Sequence, residues 1–138
     1  MSTIADAFAA YCAELLEPLG RTRTKRMFGG HGVYVDDLFV AIVAGEQLYL
    51  KTDAATRPQF EAAGCRPFTY GAAEQTVVMS YWSAPEEATE SPAQMLPWAR
   101  LAQTAALRAK AAQAAKAPRG PGAAMSRGAA TRRRRAAP

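Results

Sequence analysis

The sequence predicts a small α+β domain, in which helices pack on an antiparallel sheet, followed by a disordered tail. Apolar residues recur at helical spacing near both ends of the first 110 residues, and short apolar runs separated by tight turns lie between them. Residues 111–138 consist mainly of Ala, Gly, Pro, Lys and Arg, which offer almost nothing to bury. We therefore expect a folded domain over residues 1–110, in the order α-β(3)-α-β(2)-α, and a disordered tail over residues 111–138.

Three segments carry helix signals. The helix over residues 53–64 begins either at an aspartate cap or a turn later, because Pro58 is unfavourable beyond the first turn. The last helix begins with Ser91 as its cap and Pro92 at its first position, and Pro97 predicts a kink or a separate first turn in it. In the first helix, over residues 3–19, the side chains that recur at helical spacing and should face the core are Ile4, Phe8, Tyr11, Leu15 and Leu19.

The clearest β signal is a group of three apolar runs joined by two short turns. Asp36 and Asp37 form the first turn, because aspartate tolerates the backbone of a tight hairpin. The middle run is apolar at successive positions, so we expect a central strand that is covered on both faces. The five predicted strands span residues 33–35, 38–44, 47–51, 67–70 and 76–82.

Charge is divided unevenly along the chain. Residues 1–115 hold ten Lys and Arg against twelve Asp and Glu, a net charge of −2, whereas residues 116–138 hold seven Lys and Arg and no acid, a net +7. Such a tail attracts DNA or RNA by charge alone, although an inert solubilising tail explains it equally well. The candidate nucleic-acid-binding residues are Arg119, Arg127, Arg132, Arg133, Arg134 and Arg135 in the tail, and Arg21, Arg23, Lys25 and Arg26 in the domain. A solvated edge protected by charge explains the domain cluster equally well.

Few other residues suggest chemistry. His31 is the one histidine and has no partner at metal-ligand spacing, and Cys12 and Cys65 fit structural thiols of a reducing cytoplasm. The glycines between residues 29 and 32 predict either a flexible turn or a place where another backbone comes close. A phosphate loop is disfavoured, since no Lys-Ser or Lys-Thr ending follows them. Core packing explains the aromatic residues best, and a ligand pocket or base-stacking surface is the alternative for Tyr49, Tyr70, Tyr81, Trp82 and Trp98.

Three blocks of residues are specific when taken together, in their order and spacing. They are Met27-Phe28-Gly29-Gly30-His31-Gly32-Val33-Tyr34, then Leu48-Tyr49-Leu50-Lys51-Thr52-Asp53 continuing to Pro67-Phe68-Thr69-Tyr70, then Met79-Ser80-Tyr81-Trp82 continuing to Trp98-Ala99-Arg100. Over roughly residues 3–110 they resemble the N-terminal domain of the TfoX/Sxy family. The resemblance implies the element order given above, self-association and a link to bacterial competence and DNA uptake, and it brings no catalytic motif.

Together these observations predict a non-enzymatic regulatory or interaction module in a bacterial cytoplasm, without a cofactor. Its expected partners are DNA or RNA through the tail, and a second copy or another protein through the domain. No run of residues approaches the roughly 18 apolar positions that would suggest a membrane span. The alternative function is a small-molecule or peptide-binding, chaperone-like module that uses a sheet face or dimer groove with Tyr49, Tyr81 and Trp82.

Overall fold

A six-stranded antiparallel sheet organises the structure, a computed structural model that describes residues 4–27, 30–70 and 76–116. In spatial order the strands are β1 (Thr22–Met27), β2 (Gly30–Val35), β3 (Leu38–Ala44), β4 (Gln47–Lys51), β6 (Thr76–Ser83) and β5 (Pro67–Tyr70). The helices are α1 (Ile4–Leu16), α2 (Arg57–Ala62) and α3 (Pro92–Lys116), with 3-10 turns at Glu17–Leu19 and Glu86–Glu90. The predicted α+β class with an antiparallel sheet is confirmed.

The structure has one more strand than the sequence predicts. β1 pairs with β2 along its whole length, from Thr22 opposite Val35 to Met27 opposite Gly30. Its first four residues alternate threonine with arginine or lysine, and most of the strand is exposed. It therefore lacks the alternation of apolar and polar residues that predicts a strand. β1 is a strand because it continues a hydrogen-bonded ladder at the edge of the sheet, and edge strands commonly carry charged side chains.

One face of the sheet carries the core. Strand register places Val33, Ala41, Leu50 and Trp82 in one row across four strands, and all four are buried. The helices complete the same cluster, since it includes Leu15 of α1, Phe60 of α2 and Met95 of α3. We call this the helical face.

The opposite face is less buried, and we call it the open face. Gly32, Ile42 and Tyr49 pair across it, and Tyr34 pairs with Phe39. Apart from Gly32, these residues are half-buried. The expectation that β3 is covered on both faces is therefore met on the helical face only, because the buried side chains of the helices join the cluster on that side.

The predicted core stripe of the first helix is confirmed in part. Leu15 is buried and Phe8 and Leu19 pack against the core, whereas Ile4 and Tyr11 are exposed. Among the described side chains of α1, the others that are buried are Ala9, Cys12 and Leu16. The small side chains of Ala9 and Cys12 let the helix approach the sheet closely. The spacing of large apolar residues along the sequence does not predict such contacts. Tyr11 instead donates its hydroxyl hydrogen to the carbonyl oxygen of Thr89.

The other two helices resolve the alternatives left by their prolines. α2 begins at Arg57, the later of the two predicted starts, which leaves Pro58 in its first turn. α3 is one helix from Pro92 to Lys116 with Pro97 inside it, so a separate first turn is not formed. The Ser91 hydroxyl caps α3 by accepting a hydrogen bond from the Gln94 amide at 3.1 Å.

The chain falls into two compact units, residues 1–108 and 109–138. The described part of the second unit is the end of α3, and the disorder predicted for the tail concerns residues that lie mostly outside the described part. Among the described helices, none is both long and apolar enough to cross a bilayer.

Candidate functional site

The basic cluster at residues 21–26 is divided between the two faces of β1. Arg23 lies opposite Tyr34 and Lys25 opposite Gly32, so both belong to the open face, whereas Arg26 lies opposite His31 on the helical face. Arg21 precedes the strand, where its amide donates a hydrogen bond to Asp36 Oδ1 at 3.0 Å. All four basic residues of the cluster are exposed. The structure thus gathers Arg23 and Lys25 on one surface and directs Arg26 elsewhere.

Arg26 belongs to a small polar cluster at the start of α1. Its guanidinium binds the Asp6 carboxylate at 2.7 and 2.9 Å, and His31 Nε2 lies 3.0 Å from Asp6 Oδ1. His31 is buried in β2 rather than placed in a turn as predicted, and its Nδ1 has no hydrogen-bond partner. Asp6 therefore anchors α1 to two neighbouring strands. The sequence did not predict this role, because Arg26 and His31 are distant from Asp6 along the chain.

The glycines of the first block are strand residues and not a turn. Gly30 and Gly32 both lie in β2, and a Cβ atom at Gly30 would collide with the carbonyl oxygen of Val43. A Cβ atom at Gly32 would meet the side chains of Met27 and Phe39. The alternative prediction, close approach of another backbone, is confirmed for Gly30, and two large side chains explain Gly32. The turn interpretation was wrong for both residues. Gly29 lies outside the described residues.

The turn at Asp36 and Asp37 is confirmed. Both residues have positive φ, 49° and 66°, as a tight hairpin requires. Asp37 also forms an exposed ion pair with Arg23 at 3.4 Å. With Arg21 and Arg23 these two acids line a shallow surface depression, so the basic cluster is partly neutralised at this end of the sheet.

Five side chains form a continuous row across the open face, which we call the cation–aromatic row. The Arg23 guanidinium lies 4.5 Å from the Tyr34 ring centroid, and Tyr34 stacks on Phe39 with 5.0 Å between centroids. Phe39 meets Tyr81 at 5.7 Å, and the Lys51 ammonium lies 5.0 Å from the Tyr81 ring. Three rings are thus held between two cations, in the geometry of cation–π contacts.

An apolar cleft of about 250 Å³ lies on the sheet near the row. It is lined by Met27, Gly30, Phe39, Ile42, Val43, Ala44, Phe68 and Val78. Of the aromatic residues singled out in the sequence, Tyr49 contacts Phe68 beside this cleft and Tyr81 joins the row, whereas Trp82 is buried on the helical face. Trp98 packs edge-on against Phe60 in the core at 5.1 Å, and Tyr70 ends β5.

The two cysteines are free and differ in environment. Cys12 is buried in the core, and burial raises the pKa of its thiol to about 12. Burial also raises the pKa of the half-buried Cys65, and a hydrogen bond with Ser83 opposes that shift. Among the described residues no three His, Cys, Asp or Glu side chains come together as a metal site would require.

The tail arginines predicted to contact nucleic acid, residues 119 to 135, lie outside the described residues. Strand register, by contrast, revealed three members of the row that the sequence did not single out as candidate site residues: Tyr34, Phe39 and Lys51. Nothing in the sequence marks Lys51 and Phe39 as site residues, and they come beside Tyr81 only in the folded sheet. The alternation of side chains along each strand is the one sequence signal that bears on which face they share.

Comparison with known proteins identifies the family of this chain. A family model described as the TfoX N-terminal domain matches residues 14–106, more than half of the chain. This chain belongs to the TfoX N-terminal domain family. The resemblance of the three sequence blocks is thereby confirmed, and all six strands lie wholly within the matched residues.

One curated relative of this TfoX-family chain is the DNA transformation protein TfoX1 of Aliivibrio fischeri (strain ATCC 700601 / ES114). The two sequences are 27% identical over 81 residues, which cover 59% of this chain and 39% of the relative. The chain therefore corresponds to well under half of that protein. The name of the relative links that protein to DNA transformation.

Proposed function

We propose that this TfoX-family chain is a non-enzymatic regulatory or interaction module of the bacterial cytoplasm that contacts nucleic acid without reading base sequence. The observation that carries the proposal is the charge distribution, a net +7 over residues 116–138 with no acid among them. Charge of this kind binds phosphates through release of counterions, independently of base sequence. Membership of the TfoX family and the name of the relative support a role connected with DNA.

The folded domain supports the same proposal in two ways. Strand β1 exposes Arg23 and Lys25 at the edge of the sheet, where phosphates could reach them. Histidine and cysteine are often used in catalysis, but His31 and Cys12 are poorly placed for it. His31 is buried against Asp6, and burial raises the pKa of Cys12 to about 12. Neither side chain therefore offers an accessible base or nucleophile.

A binding titration tests the tail. Duplex DNA is titrated with the wild-type chain and with a tail-neutral variant that carries K116Q, R119Q, R127Q, R132Q, R133Q, R134Q and R135Q. We expect the variant to bind more weakly and with a shallower salt dependence, because each lost phosphate contact removes about 0.9 from the slope of log affinity against log salt. Equal affinity and an equal slope for the two proteins would exclude a nucleic-acid role for the tail.

The apolar cleft favours a second candidate function, the binding of a small apolar molecule or an apolar peptide side chain. Its volume of about 250 Å³ is at the lower end for ligand sites, and its lining is almost wholly apolar. Anilinonaphthalenesulfonate fluorescence tests this candidate: it should rise with the folded wild-type protein and much less with Ile42→Gln, which makes the cleft polar. An equal rise with both proteins would remove the cleft from consideration.

A further inference from the structure

We infer that the cation–aromatic row binds single-stranded nucleic acid, with bases stacked on its rings and phosphates held at its cations. This inference rests on the proposed nucleic-acid role, and it assigns to the folded domain a site that is separate from the tail. It also names the class of ligand, a single strand with accessible bases rather than a duplex.

The geometry supplies both kinds of contact that single strands need. Arg23 and Lys51 stand at the two ends of the row, and Tyr34 and Phe39 are half-buried between them on the open face. Single-stranded binding proteins combine aromatic side chains, on which bases stack, with cations along the path of the backbone. Tyr81 is only 9% exposed, so it packs against Phe39 and offers little surface itself. The Arg23 guanidinium and the Phe39 ring flank Tyr34 from the two neighbouring strands, so a base stacks on Tyr34 when Arg23 moves from that ring to a phosphate.

Charge on the sheet is complementary to a polyanion. The six strands contain no Asp or Glu, and their basic residues are Arg23, Lys25, Arg26 and Lys51. Register places three of these four, all but Arg26, on the open face. One acid acts on each end of the row: Asp37 forms a 3.4 Å ion pair with Arg23 between two exposed side chains, and the charge of Asp53 acts on Lys51. Exposed pairs of this kind contribute little, so a phosphate can replace Asp37 as the partner of Arg23.

The same charges argue against other occupants of the open face. The tail of this chain is basic and would be repelled by Arg23, Lys25 and Lys51. A second copy placed on this face by two-fold symmetry would bring the same cations toward one another. A duplex hides the faces of its bases inside the stack, whereas a single strand can splay them onto aromatic rings. A single strand offers bases that stack on the rings and phosphates that pair with the cations.

The experiment uses the full chain in the tail-neutral form described above, so that the tail does not mask the domain. Fluorescence anisotropy follows binding of fluorescein-labelled oligothymidine and of a duplex of the same length. We expect the oligothymidine to bind more tightly than the duplex. Tyr34→Leu removes a stacking ring and should weaken binding of the single strand about tenfold. The matched control is Tyr11→Leu, which makes the same change at an exposed tyrosine of α1 and should leave binding unchanged.

A second pair of variants does not depend on the aromatic substitution. Lys51→Gln should weaken single-strand binding and lower its salt dependence, whereas Lys110→Gln, an exposed lysine of α3, should do neither. Circular dichroism and thermal melting verify that each variant is folded.

The inference is overturned if the tail-neutral protein does not prefer the single strand, or if both members of each pair behave alike. It is equally overturned if sedimentation shows that Tyr34→Leu dissociates a dimer, since a second copy would then occupy the face. Loss of the tail effect with a retained single-strand preference would instead contradict only the role of the tail.

Discussion

Asp53 illustrates how a single carboxylate joins distant parts of the domain. It accepts hydrogen bonds from Arg108 of α3 at 2.7 and 3.1 Å and from the backbone amides of Ala55 and Thr56 at 3.1 Å each. The hydrogen bond from Arg108 is the largest of the effects that lower the pKa of Asp53 to about 2, while burial opposes them. The aspartate expected to cap the second helix instead caps the turn before it and ties that turn to α3.

This pairing predicts a dependence of stability on pH. The pKa of Asp53 is about 2 in the folded protein against an ordinary value of 3.8, so its contribution is present above about pH 4 and is lost as pH falls through 2. Free energies of unfolding measured between these values should show the wild type losing its advantage over Asp53→Asn. An advantage that does not change with pH would contradict the assignment to this carboxylate.

Gly30 predicts a second effect at the scale of one residue. Gly30→Ala should lower the free energy of unfolding by about 2 kcal/mol, because the new methyl group would meet the backbone carbonyl of Val43, which cannot move without disturbing β3. Gly45→Ala is the matched control: its site is open but has φ of 61°, and left-handed strain should cost only about 1 kcal/mol. Urea titrations compare the two, and an equal loss would show that close approach at Gly30 is unimportant.

At the scale of elements, polar contacts fix how α1 sits on the sheet. Asp6 in the first turn of α1 binds Arg26 of β1 and His31 of β2, so one carboxylate determines where the helix begins relative to two strands. The side chain of Asp6 is only 20% exposed, whereas that of Asp37 in the hairpin is 86% exposed. Partly buried ion pairs are less screened by solvent than exposed ones, so these two aspartates should differ in importance.

Substitution of the two aspartates tests this difference. Asp6→Asn should destabilise the protein by about 1 kcal/mol, because the charged hydrogen bonds to Arg26 and His31 are weakened. Asp37→Asn should change stability by less than about 0.5 kcal/mol, since its pair is exposed and asparagine tolerates positive φ. Thermal and urea unfolding measure both, and a larger loss at Asp37 would reverse this view of how α1 is held.

At the scale of the whole molecule, the core is one-sided. A single buried cluster joins the three helices to the helical face, and it contains Cys12 at 0% exposure. Burial raises the pKa of Cys12 to about 12, so the reactive thiolate is scarce at neutral pH in the folded protein. Cys65 is half-buried and packs against the edge of this cluster.

Thiol alkylation should therefore report unfolding. In native buffer iodoacetamide should modify Cys65 first, and modification of Cys12 should become fast only in denaturant that unfolds the domain. Mass spectrometry of the modified peptides measures both rates, with Cys65→Ser as a control that isolates Cys12. Equal rates at the two thiols in native buffer would show that the core opens locally around α1.

Elements with local signals could be predicted from the sequence. The strands at residues 38–44 and 47–51, the positive-φ turn at Asp36 and the cap at Ser91 follow from short-range rules of turn geometry and capping. β1 could not be predicted, because its residues have no apolar period and it exists only by pairing with β2. The stripe that α1 buries was predicted only in part, because the small residues Ala9 and Cys12 contribute to it beside the predicted Leu15.

The candidate site, like the fold, could be predicted from the sequence only in part. The sequence by itself determined the basic residues, their separation into a domain cluster and a tail, and the resemblance to the TfoX family. Only the tertiary structure decided that Lys51 and Phe39 join Tyr34 and Arg23 in one row, and that Trp82 does not. The reason is that charge and composition are properties of the chain, whereas a shared face depends on strand register, and a shift of one residue reverses it.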